Sequence, residues 1–104
     1  MQRWLPDVQV RIRGLASHKA VRFTYKALHE LTALDAGLDP DDCCEILGKL
    51  RDRDSAGRIR SVTSGEWLYV FKPTVVGLRL YLKLAVRGQC IVISFHEDGD
   101  QDGN

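Results

Sequence analysis

The chain has 104 residues, of which 44% are hydrophobic and 28% charged, with a formal net charge of +1. That size fits one domain with a single core that needs no covalent or metal staple. Three cysteines, two of them adjacent at Cys43 and Cys44, argue against a disulfide framework and for a reducing cytoplasm.

There is no C-x-x-C pair, and His18, His29 and His96 are scattered, so neither a metal nor a cofactor is expected. No apolar run approaches the length of about 18 residues that a membrane span requires, and the N-terminus, polar from Gln2, does not read as a secretion signal.

From the N-terminus, Pro6-Asp7 precedes Val8, Ile12 and Leu15 at helical spacing, although Val8, Val10 and Ile12 also fit a strand. Val21 and Phe23 suggest a short edge strand. Thr24 can cap a second helix whose Ala27, Leu28, Leu31 and Leu34 form one stripe, ending at Gly37. A third helix follows, with Asp39 as N-cap, Pro40 at the first helical position, and Asp41 and Asp42 complementing the dipole. Cys43, Leu47 and Leu50 face the core, with Ile46 beside them, and Cys43 and Cys44 read as core fillers. The segment Arg51–Arg60 alternates in charge and reads as a solvated connection hinged at Gly57.

The stretch from Arg60 to Glu97 parses as four strands joined by short turns. Trp67, Tyr69 and Phe71 alternate, which gives one strand an aromatic face suited to core packing or to base stacking. In the next long run, Leu78, Leu80, Leu82, Leu84 and Val86 alternate with Arg79, Tyr81, Lys83 and Ala85, so one face is apolar and the other cationic. Burying each large apolar group contributes roughly 1.5–3 kcal/mol. That fixes the register, because a one-residue slip would bury the cations. The last run places Ile91, Ile93 and Phe95 on one face and Cys90, Val92, Ser94 and His96 on the other. The Arg87-Gly88-Gln89 turn makes the two an antiparallel hairpin.

The expected fold is therefore α+β: a compact single domain over residues 1–96, with a mainly antiparallel twisted sheet packed by two or three N-terminal helices. Residues 97–104, EDGDQDGN, form an acidic tail expected to be disordered. Charge is uneven. Without the four acids from Glu97 onward, residues 1–96 hold fifteen bases and ten acids, a net +5. Between 58 and 87, Arg58, Arg60, Lys72, Arg79, Lys83 and Arg87 face one acid, Glu66. Such a basic half, with Tyr81 between cations and His96 at a strand end, suits contact with a phosphodiester.

The succession of helix, short strand and two helices, then Arg60-Ser61-Val62-Thr63-Ser64, Trp67 to Pro73, Leu80 to Leu84 (LYLKL) and Ile91 to Glu97 (IVISFHE), resembles the MqsR toxins, the motility quorum-sensing regulator family. The resemblance runs from Pro6 to Glu97. It implies a RelE-like fold, cleavage of mRNA, and neutralisation by a cognate antitoxin encoded by a neighbouring gene. It also implies that Arg60 stands where the family has a catalytic lysine, that Tyr81 falls on the catalytic tyrosine, and that Lys83 matches the lysine after the next leucine. Leu68 stands in place of a functional glutamine, and His96 in place of a lysine.

Metal-independent RNA cleavage needs a base for the 2′-hydroxyl proton, cations for the phosphorane charge, and an acid for the leaving 5′-oxygen. Arg60 and Lys83 suit charge stabilisation, Tyr81 suits proton donation or positioning of the hydroxyl, and His96 suits proton transfer. Arg58, Lys72, Arg79 and Arg87 are the accompanying RNA-binding candidates. Two other classes fit the chain: a non-catalytic RNA- or ribosome-binding module, and a protein-interaction domain whose surface would be the sheet edges and the Asp-rich start of the third helix.

Overall fold

The computed structural model describes residues 2–99. Helix α1 spans Leu5–Ser17, strand β1 Val21–Phe23, helix α2 Tyr25–Leu34 and helix α3 Pro40–Gly48. A 3₁₀ turn at Asp52–Asp54 leads into β2 (Ser55–Arg60), β3 (Trp67–Phe71), β4 (Thr74–Val75), β5 (Leu78–Val86) and β6 (Cys90–Glu97). The sheet order is β1-β6-β5-β3-β2, with β4 pairing β5 off this path; β1 runs parallel to β6 and the remaining pairs are antiparallel. The α+β class is the one that the alternation and capping patterns indicate.

The helix starts are as the caps indicate, but α2 stops at Leu34 with Asp35 (φ 53°) as its left-handed cap, ahead of Gly37. Thr24 Oγ1 accepts from the Ala27 amide at 3.1 Å, and Asp39 and Asp42 form a reciprocal capping box at the start of α3. The N-terminal segment is helical rather than extended, because its apolar residues Leu5, Val8, Ile12 and Ala16 then share the buried face, while Val10 projects into solvent. Its buried Gln9 donates to the Leu50 carbonyl at 2.9 Å, tying α1 to the end of α3. The core joins these helices to Phe71, Leu80, Leu82, Leu84 and Phe95, all at most 1% exposed.

Three further expectations change. Ser55–Arg60, read from sequence as a solvated connection, is the edge strand β2. Its charges sit on an edge, where cations discourage further strand pairing, and Gly57 (φ 103°) sits at a register shift in the ladder rather than at a hinge. The row Ile91/Ile93/Phe95 does not share one face. Lys83 pairs with Ser94 but Leu84 pairs with Val92, so Ile93 is an extra residue in a bulge. Cys90 and Val92 therefore enter the core with Phe95, while Ile91 and Ile93 are half-buried on the opposite face. Finally, the expected tail begins too early. Glu97 closes β6, and the Asp98 amide continues its ladder by donating to the Arg79 carbonyl at 2.7 Å. Positions 100–104 lie outside the described residues.

Candidate active site

The bulge in β6 has a second effect. It restores the parity that brings Ser94 opposite Lys83 and His96 opposite Tyr81. Paired residues of antiparallel strands share a face, so Lys83, Tyr81, Ser94 and His96 lie together on the side of the sheet away from Leu82 and Phe95. This is not the solvated cationic wall that alternation suggests. Lys83 is 2% exposed and His96 6%, and Ser94 is fully buried. The apolar Val70, opposite Lys83 on β3, belongs to the same face.

Tyr81 and His96 stack, with ring centroids 5.0 Å apart and planes 9° from parallel. His96 Nδ1 lies 2.9 Å from the Glu97 carbonyl, an acceptor, so this nitrogen carries the donated proton and Nε2 is the basic one in neutral imidazole. Lys72, just past β3, holds its ammonium 5.8 Å from the Tyr81 ring centroid.

Helix α2 contributes two residues that the sequence reading did not single out. Among the described residues, no strand pairs with the edge of β6 beyond β1, and α2 covers it. Glu30 accepts from the Phe95 amide at 2.9 Å and pairs with Lys26 at 3.1 Å. Lys26 donates to Ser94 Oγ at 2.9 Å and to the Ile93 carbonyl at 3.4 Å. A second ammonium thus reaches the same serine that faces Lys83. The one available signal was the i,i+4 spacing of opposite charges, which reads by default as a solvent-facing pair.

Arg60 does not join this group. It pairs with Trp67, and Trp67, Tyr69 and Phe71 share the helix-packed face. The Arg60 guanidinium lies 4.2 Å from the Trp67 ring centroid and donates to the Gly65 carbonyl at 2.8 Å. Arg58 inserts between Trp67 and Trp4, at 3.9 and 5.1 Å from their centroids. Tyr81 stands three positions before Leu84, and Trp67 two positions beyond Leu84's partner Tyr69, so Arg60 is roughly 17 Å along the strands from the stacked pair.

Lys83 links the two regions. A groove of about 760 Å³ is lined by Arg60, Leu68, Lys83, Arg87, Ile91 and Ile93, together with the turn from Ser61 to Ser64. Its wall is latched by a two-pronged ion pair between Arg87 and Glu66, with Nε to Oε2 at 3.1 Å. The hydrogen bond from Arg87 holds the Glu66 carboxyl below the usual carboxylate range, and Glu66 in turn raises Arg87. The remaining cation candidates, Lys72 and Arg79, both reach Asp98, at 3.2 and 3.3 Å.

The face thus combines a stacked phenol and imidazole, a serine that accepts from Lys26 and pairs across the strands with Lys83, and further cations at its margins. Such a set can move protons and balance the charge of a phosphoryl centre. A family model described as the motility quorum-sensing regulator, toxin of MqsA, matches residues 6–97. A curated relative, the mRNA interferase toxin MqsR of Escherichia coli (strain K12), is 28% identical over 99 residues, covering 93% of this chain and 99% of the relative. With the family match running from the first turn of α1 to the last residue of β6, the chain belongs to the MqsR toxin family.

Proposed function

We propose that this chain is the toxin of a bacterial type II toxin–antitoxin pair, a metal-independent endoribonuclease that cleaves single-stranded mRNA in the cytoplasm. The observation that carries the reading is the Tyr81–His96 stack, with Lys83 next on the same face of β5. It is supported by membership of a family described as the toxin of MqsA and by a relative named as an mRNA interferase.

In this reading RNA binding uncovers His96 Nε2, which is buried in the free protein. Nε2 then takes the proton from a ribose 2′-hydroxyl, and the freed oxygen attacks the adjacent phosphorus. The bond from phosphorus to the 5′-oxygen breaks, and that oxygen takes up a proton, with the Tyr81 phenol as donor. Lys83 balances the extra negative charge on the phosphorane, and Lys26, whose own charge is offset by Glu30, orients the Ser94 hydroxyl. Arg60 and Arg87, at the margins of the groove, hold the strand rather than the reacting phosphate. The products are a 2′,3′-cyclic phosphate and a 5′-hydroxyl. The proposed partner that silences the toxin is an antitoxin protein encoded by a neighbouring gene, MqsA-like by family.

The test is cleavage of a single-stranded RNA by purified protein in excess EDTA, with end-group analysis of the fragments. Cleavage yielding cyclic phosphate ends is the expected result. Activity that disappears with the chelator would rule out the metal-free route. Binding without cleavage would instead mark a non-catalytic RNA-binding module, a reading favoured by Leu68, which puts an apolar, buried side chain on the groove wall.

A further inference from the structure

The C-terminal end of β6 holds an arrangement that the cleavage chemistry does not use. Asp98 accepts from Lys72 Nζ through Oδ1 at 3.2 Å and from Arg79 Nε through Oδ2 at 3.3 Å. The two cations come from different segments, one after β3 and one on β5, yet converge on the two oxygens of a single carboxylate. Two anionic oxygens on one central atom, each met by its own cation, is also how the non-bridging oxygens of a phosphodiester are bound. Lys72 is in addition the cation over Tyr81, and Arg79 shares the Tyr81 face, two residues before it.

A structural staple is the simpler account of Asp98, and it falls short. The Asp98 amide is already fixed by its 2.7 Å bond to the Arg79 carbonyl, so the strand end does not depend on the side chain. The Arg79 side chain is 65% exposed, so its arm contributes little to stability, whereas Lys72 and Asp98 are 29% and 23% exposed and form the more sheltered pair. The Arg79 arm is the one most readily exchanged for a better anion.

We infer that Lys72 and Arg79 form a binding subsite for a backbone phosphate of single-stranded RNA, next to the Tyr81–His96 pair, and that Asp98 occupies it until RNA displaces the carboxylate. The inference rests on the reading that RNA runs over this face. An acidic protein partner would meet the same cations. RNA is the favoured ligand because the subsite adjoins the stacked pair, whose ring chemistry suits a nucleotide rather than a peptide carboxylate.

The experiment measures binding of the full chain to a labelled, uncleavable 2′-O-methyl oligonucleotide by fluorescence anisotropy across a salt series. Asp98→Asn keeps the backbone bond and the shape while removing the competing charge. It should tighten binding about two- to fivefold at low salt, the factor matching a part-exposed ion pair. It should also steepen the slope of log affinity against log salt by up to about 0.7, because the wild type gives up a salt-screened ion pair for the phosphate contact and the variant does not.

In a Lys72→Gln, Arg79→Gln background the same change should give no gain. An equal gain in that background would mean a general charge effect and would overturn the proposal. So would an Asp98→Asn protein, folded by circular dichroism, that binds like wild type or more weakly, and so would failure of both forms to bind RNA. If the double variant fails to fold, Lys72→Gln alone serves the same comparison and should at least halve the gain. The readout is binding, so it separates from catalysis. An inactive protein that shows the Asp98-dependent gain keeps the subsite and loses the nuclease reading, and an active one without the gain does the reverse.

Discussion

The ring of His96 lies almost parallel on that of Tyr81, because the two residues are direct partners across β5 and β6. That pairing exists through the bulge at Ile93. Without the extra residue, the ladder that sets Leu84 opposite Val92 would set Tyr81 opposite Phe95, and His96 would turn toward the helices. One insertion therefore decides which face receives the imidazole.

If the pair carries proton transfer, the two rings should separate by substitution. His96→Ala removes the exchanging group and should lower kcat by about 10²–10⁴-fold. Tyr81→Phe preserves the stack and deletes the hydroxyl alone, so it should fold like wild type and still lose rate. Single-turnover cleavage with circular dichroism checks both, and full activity in His96→Ala would remove the proposed role.

Glu30 offers a test of how the site is held. Its carboxylate is the acceptor for the Phe95 amide and the partner of Lys26, at the edge of β6 that α2 covers. Glu30→Ala should destabilise the fold by about 1–3 kcal/mol, the usual cost of leaving a buried donor without its acceptor. Glu30→Gln keeps an acceptor oxygen and should cost much less. Urea melts of both variants give the comparison, and equal losses would mean that the charge on Lys26, not the Phe95 amide, is what matters.

The fold was largely readable from the sequence where local rules act alone. The Thr24 and Asp39 caps, the leucine row of β5 and the short strand at Val21–Phe23 follow from spacing and propensity. The bulge was not readable, since Ile91, Ile93 and Phe95 satisfy a strict alternation that the ladder then breaks. Strand β2 was hidden because an edge strand needs few apolar residues and its charges resemble those of a loop. The site was half readable. Parity places Tyr81 and Lys83 on one face but leaves the side of His96 open, and the bulge at Ile93 sets it. Arg60 pairs with Trp67 and stays at the far margin of the groove. Lys26 and Glu30 act only through an edge created by the tertiary fold.

The buried thiols should weaken the fold as pH rises above about 9. Burial pushes Cys43 and Cys90 up to about 12 from an ordinary 9.0, with neighbouring Cys44 adding to both. Both acids have folded pKa values above their unfolded ones, so their contribution is complete below about pH 9 and is lost as pH rises toward 12. The loss is about 1.4 kcal/mol per thiol for each pH unit in that window. Urea melts from pH 8 to 10.5 should show a steeper decline in wild type than in Cys90→Ala, which lacks one titrating thiol. Below pH 9, half-buried Cys44 should react with iodoacetamide well before Cys43 or Cys90.

Arg60 provides the sharpest distinction between holding RNA and acting on it. Its guanidinium is stacked on Trp67 at the far margin of the groove that Lys83 also lines. A residue that binds substrate and transition state equally raises KM when removed and leaves kcat alone. Arg60→Ala should therefore raise KM severalfold, with kcat within about twofold of wild type, and should reduce the salt slope of RNA binding by about 0.7. Arg60→Lys keeps the charge but loses the planar contact with Trp67, an interaction of about 0.5–1 kcal/mol at an exposed site, and should fall between the two. The decisive quantity is kcat in Arg60→Ala. A fall of 10²-fold or more at unchanged KM would mean that the guanidinium reaches the reacting phosphate during turnover. Arg60 would then have to leave Trp67 and move along the groove toward the Tyr81–His96 pair when RNA binds.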